Sequence, residues 1–127
     1  MTEYFDALET RSATQREESL LGALPLQVAH AKLASPAFAE ILKDVDTAQV
    51  SSRAALAKLP VTRKHELLEL QLKSRSSNGN VFGGFSVNSF GAMLPRVFAS
   101  PGPIYEPEGT AKDYWRMARA IFAAGFR

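Results

Sequence analysis

The residues best suited to chemistry lie between Arg96 and Pro107. There Arg96-Val97-Phe98-Ala99-Ser100 leads through Pro101-Gly102-Pro103 into Ile104-Tyr105-Glu106-Pro107. The pattern reads as a short apolar strand, a Gly/Pro-punctuated turn and a second short strand. A strand running into a Gly-containing loop is one way to present backbone N–H groups to a phosphate. Ser100 carries a hydroxyl able to donate to a phosphate oxygen, and Gly102 supplies backbone freedom. The same residues also compose an ordinary tight turn, with Ser100 as its starter. Both readings stand at this level.

Other chemistries are sparse. The chain has 127 residues and no cysteine, so disulfides, thiolate metal sites and a cysteine nucleophile are excluded. His30 and His65 are the only histidines and form no His-x-x-x-His pair, which argues against a zinc site. His30, beside apolar residues, reads as a core or interface histidine; His65, between Lys64 and Glu66, reads as solvent-facing. No Ser/His/Asp set or paired carboxylates stand out, so no catalytic residue is assigned. With 15 Lys and Arg against 13 Asp and Glu, the net charge is +2, and the cations form no stripe. A nucleic-acid partner is therefore not expected.

No apolar run approaches the roughly 20 residues of a membrane span. The start, Met1-Thr2-Glu3-Tyr4-Phe5-Asp6, carries acids and lacks a basic segment leading into an apolar one. It does not read as a secretory signal, and a cytoplasmic protein is expected.

The elements that must position Ser100 and Gly102 are mostly helical. Thr14 with Glu17 predicts a capping box for a helix to about Lys32, with Leu20, Leu21, Leu24, Val28 and Ala31 on one face. Pro25 is expected to kink or divide it. Ser35-Pro36 opens a second helix that buries Phe38, Ile41, Leu42 and Val45. A third runs from Ser51 or Ser52 to Lys58, and a fourth starts at Thr62 as N-cap and carries Leu67, Leu68, Leu70 and Leu72. Ser74 to Asn80 reads as a polar loop, and Val81 to Phe98 as extended or irregular. Thr110 with Asp113 predicts a last helix whose apolar face is Tyr114, Ala118, Ile121, Phe122 and Gly125. On that helix Tyr114 and Trp115 read as a packing anchor.

The chain therefore divides into a helical part (1–73), a loop with short strands (74–107) and a helix (110–125). It reads as a single partial domain of α/β class. A ribbon of so few strands is marginal alone, and the chain looks like the opening of a larger protein. Its exposed C-terminal apolar face predicts self-association.

Four segments, in order, carry a family resemblance. His30-Ala31 with Ser35-Pro36-Ala37-Phe38 resembles a His-Ala…Pro-Phe-Tyr helix pair. Leu59-Pro60-Val61-Thr62-Arg63-Lys64-His65-Glu66-Leu67 is similar to Leu-Pro-Phe-Thr-Thr-Lys-x-x-Leu. Gly84-Phe85-Ser86-Val87 resembles Gly-x-Phe-x-Val, and Arg96 to Gly102 resembles Arg-Ile-x-Ala-Ser-Ser-Gly. Together they resemble the N-terminal portion of phenylacetate–CoA ligases, members of the AMP-forming adenylating superfamily. The resemblance implies a helix-rich N-terminal part of an adenylating-enzyme large domain, with short strands around 81–107. It implies ATP, Mg²⁺ and CoA as cofactors of the full-length protein, and an organic, aromatic acid as substrate. The activity implied is formation of an acyl-adenylate and then a CoA thioester. The 127-residue fragment is expected to be inactive alone.

The implied phosphate loop departs from the family's Ser-Ser-Gly-Thr-Thr-Gly-Lys-Pro. Only Ser100, Gly102 and Pro107 match. Pro101 and Pro103 each remove a backbone N–H, Ile104 removes a hydroxyl, and Glu106 puts an anion where the family has a lysine. These changes favour an alternative, a divergent non-catalytic homologue that works as a binding or scaffold module. A free-standing helical interaction domain is the third reading.

Overall fold

The computed structural model of the chain describes residues 3–88 and 90–126. Met1, Thr2, Ser89 and Arg127 lie outside the described residues.

After a 3-10 turn at Ala7–Thr10, helix α1 spans Ala13–Ala34 and α2 spans Pro36–Ile41. A 3-10 turn at Thr47–Gln49 leads to the short α3 (Arg53–Leu56), and α4 covers Lys64–Asn78. Strands β1 (Arg96–Ser100) and β2 (Ile104–Glu108) follow, then α5 (Ala118–Ala123). Among the described residues the fold is thus mixed and helix-rich, with one two-stranded antiparallel sheet. Among the described residues no helix is long and apolar enough to cross a membrane.

The core lies where α1 and α2 pack. Val28, Leu42 and Val50 are buried, with Leu24, Phe38, Ile41, Val45 and Leu59 against them. Leu20, predicted for this face, is exposed. Helix α1 is capped by Ser12 rather than Thr14. The Ser12 hydroxyl accepts from Gln15 N at 3.2 Å, and the Gln15 amide oxygen accepts from Ser12 N at 2.9 Å. Pro25 does not divide α1, because the neighbouring Leu24 and Val28 are held in the core across it. His30 is exposed, as is His65. The helical turn carries His30 past Val28 onto the solvent side of α1, so the core reading of His30 is corrected.

The α1–α2 corner is fixed by Ser35, which is 1% exposed. Its hydroxyl accepts from Phe38 N at 3.3 Å and donates to Gly84 O at 2.8 Å. Ala37 N donates to the same carbonyl. The cap of α2 therefore also anchors the Gly84–Phe85 segment.

Further predicted boundaries move. The N-cap of α4 is Arg63, not Thr62; the Glu66 carboxylate accepts from Arg63 N at 2.9 Å and so satisfies a free donor of the first turn. The polar stretch from Ser74 to Asn78 is helical rather than a loop. Its hydroxyls bond back along the helix, Ser76 to Leu72 O and Ser77 to Ser74 O. Gly79, at φ +76°, supplies the left-handed stop. The predicted helix over 110–125 shrinks to α5. Asp113 and Arg116 have φ of 51° and 55°, which no continuous right-handed helix allows. The Asp113 carboxylate instead accepts from Met117 N and Ala118 N, and α5 opens five residues later, at Ala118. Trp115 is meanwhile drawn off by Glu108.

Replacing Ser35 with alanine removes the α2 cap and the bond to Gly84. We expect Ser35→Ala to lower unfolding free energy by about 1–2 kcal/mol, read from urea denaturation. An unchanged midpoint would show that the corner is held otherwise.

Candidate functional site

The hairpin between β1 and β2 pairs Arg96 with Glu108, Phe98 with Glu106 and Ser100 with Ile104. Its turn rests on α4. At Gly102 φ is +151°, and a Cβ there would meet Ile104 Cγ1 at 3.4 Å and Leu68 Cδ1 at 3.5 Å. Glycine is needed for that backbone angle.

A second tie runs through Gln71, which is buried on α4. Its side-chain Nε2 donates to Tyr105 O at 3.0 Å, and Tyr105 N donates to its Oε1 at 2.9 Å. One amide thus satisfies both backbone groups of Tyr105 on the outer edge of β2, as a neighbouring strand would. This pairing brings the start of α4 against the hairpin.

Between them lies an open cavity of about 450 Å³. Thr62, Arg63 and Lys64 approach from the start of α4, and Ser100, Ile104 and Glu106 from the hairpin. Phe38 of α2 and Phe85 complete it, meeting edge to face at 5.4 Å. Two cations and a serine thus share a cavity with an aromatic pair and one carboxylate. Arg63 and Lys64 favour an anionic group on one side, while Glu106 opposes one on the hairpin side.

Of the sequence-predicted residues, Ser100 is half-buried in this cavity. Gly102 shapes the turn beside it. Pro107 sits in β2 opposite Val97 and borders a different cavity. The three therefore do not converge on one point. Arg63 and Lys64 join Ser100 instead, and the signal for them was the Thr62-Arg63-Lys64 string at a helix start.

The turn offers few donors to a triphosphate. Pro101 and Pro103 offer no N–H, Glu106 is an exposed anion on β2, and Arg96 is engaged elsewhere. Among the described residues no group of three or more His, Asp or Glu is placed to hold a metal ion.

Arg96 is engaged by Glu108, a carboxylate only 5% exposed. Glu108 Oε1 accepts from Arg96 Nε at 2.9 Å and from Nη2, and Oε2 accepts from Trp115 Nε1 at 2.6 Å. The Trp115 indole, and then the Arg96 guanidinium, hold the Glu108 carboxyl below its ordinary range, against the opposing effect of burial. Trp115 also packs edge-on against Phe98 at 5.8 Å and Tyr114 at 5.0 Å. This cluster anchors the chain leaving the hairpin.

No family model, curated protein or solved structure matches this chain.

A carboxyl with a lowered folded pKa stabilises most above its unfolded value, and that contribution is lost as pH falls through the folded one. We expect the thermal midpoint of the wild type to drop more steeply below the ordinary glutamate value of 4.5 than that of Glu108→Gln. Asp6 and Glu17, lowered by hydrogen bonds from Arg119 and Arg53, contribute the same slope to both proteins. Parallel curves for wild type and variant would contradict the assignment.

Proposed function

We propose that this chain is the N-terminal part of a phenylacetate–CoA ligase-like protein of the cytoplasm. In its full form that protein converts an organic, aromatic acid to an acyl-adenylate with ATP and Mg²⁺, and then to a CoA thioester. The observation that carries the reading is that each of the four ordered segments contributes to one cavity. Phe38, the Thr62–Lys64 string, Phe85 and Ser100 are far apart in sequence and line the same 450 Å³ space. A cavity with an aromatic pair and two cations is complementary to an aromatic carboxylate.

A second reading has its own support. The two prolines of the turn, the anion at Glu106 and the engagement of Arg96 by Glu108 all weaken a phosphate site. They favour a non-catalytic homologue that retains the scaffold as a binding module.

The two readings separate by acid-dependent exchange of pyrophosphate into ATP. The assay uses the protein of the complete reading frame and a panel of aryl and alkyl acids. Exchange is expected with an aryl acid. No exchange with any acid, from a folded protein beside an active control ligase, would move the assignment to the binding module. The 127-residue chain alone is expected to form no thioester.

The apolar side chains of the C-terminal segment, including Met117, Ile121 and Phe126, are exposed. Self-association of the isolated chain through them is part of this reading. Light scattering at high concentration is expected to report a species larger than the monomer, and strictly monomeric behaviour would contradict it.

A further inference from the structure

A second cavity, of about 360 Å³, lies between β2 and the Trp115 corner. We propose that it binds a small alkylammonium cation, with Glu106 as the counter-charge. The inference does not rest on the adenylation reading. Five aromatic residues are among those that line the cavity: Phe82, Phe85, Tyr105, Tyr114 and Trp115. The Tyr114 and Trp115 rings stand at 85° to each other with centres 5.0 Å apart, which makes two sides of a box. Ring faces attract cations through their quadrupole, and aromatic boxes are suited to weakly hydrated organic ammonium groups. The Tyr105 ring is already taken by the Arg75 guanidinium, 5.5 Å from its centre, so the cation is held by the other rings.

Glu106 supplies the sign. It is exposed, borders the cavity, and has no ion-pair partner within 4.0 Å among the described residues. Its cross-strand partner is Phe98, so the two side chains share a sheet face, and Phe98 packs on Trp115. The carboxylate therefore stands on the sheet face that Trp115 covers. The nearby Arg96 is held by Glu108, and Arg63 and Lys64, which share the other cavity with Glu106, form no ion pair with it among the described residues.

The chemistry discriminates among cations. Hard metal ions need several oxygen ligands, and the described residues offer no group of three or more carboxylates or histidines. One carboxylate with aromatic walls suits a methylated or alkylated amine instead. The volume is within the range of small-ligand sites.

Trp115 is the only tryptophan and reports on its own cavity. The test is a fluorescence titration with tetramethylammonium chloride, with ionic strength held constant by sodium chloride. Neopentyl alcohol serves as a neutral ligand of similar shape. A saturable change is expected with tetramethylammonium and none with neopentyl alcohol. The apparent affinity is expected to fall about tenfold in Glu106→Gln. Because Glu106 is exposed, that variant should fold, which far-UV circular dichroism checks. Tyr114→Leu, which keeps the reporter, is expected to weaken binding several-fold. The proposal is overturned by the absence of a saturable change, by an equal response to neopentyl alcohol, or by unchanged affinity in Glu106→Gln.

Discussion

The arrangement of this molecule depends on the amide of Gln71. A two-stranded ribbon has little stability of its own, and β1 and β2 have no third strand among the described residues. Gln71 binds both backbone groups of Tyr105 from the middle of α4. That fixes the ribbon to the longest element near it and sets the distance between the start of the helix and the turn. The cavity that gathers Ser100, Arg63 and Lys64 is a consequence of this spacing. Without the amide, the N–H and carbonyl of Tyr105 would need water or another strand, and the turn would lose its register over Leu68.

Much of this was legible from local chemistry. The strand–turn–strand at Arg96–Pro107 was readable because apolar residues flank Pro-Gly-Pro, and turn residues act through their own backbone preferences. The Ser35-Pro36 helix start was readable for the same reason. What failed were the features decided by distant partners. Thr110 and Asp113 have the spacing of a capping box, yet Glu108 draws the Trp115 indole toward the hairpin and the backbone turns twice at positive φ before α5 begins. The serines after Lys73 look like a loop by composition, but their hydroxyls bond back to the helix. Gln71 and Glu108 carried no sequence signal. A buried polar residue on a helix or strand is indistinguishable from a surface one until its partner is known. For the candidate site, Ser100 was legible from the turn and the Thr62-Arg63-Lys64 string from the helix start, but that the two share one cavity was not.

Charge organises the hairpin as much as packing does. Glu108, turned inward, gathers Arg96 and Trp115 and is fully used. Glu106, on the same face of β2, has no such partner. The two carboxylates are alike in sequence and opposite in situation, because one is enclosed by donors and the other borders two open cavities. The enclosed carboxylate therefore serves the architecture, while the open one is left exposed at the border of both cavities.

The bond from Ser35 to Gly84 spans 49 residues, and this has a consequence for biosynthesis. The corner between α1 and α2 can begin to form while the chain is still being made, since its apolar contacts are local. Its buried hydroxyl finds its acceptor only after Gly84 has left the ribosome. Until then the corner is a provisional structure with a solvated cap. Vectorial synthesis thus imposes an order in which the aromatic segment, rather than the helices, completes the N-terminal half.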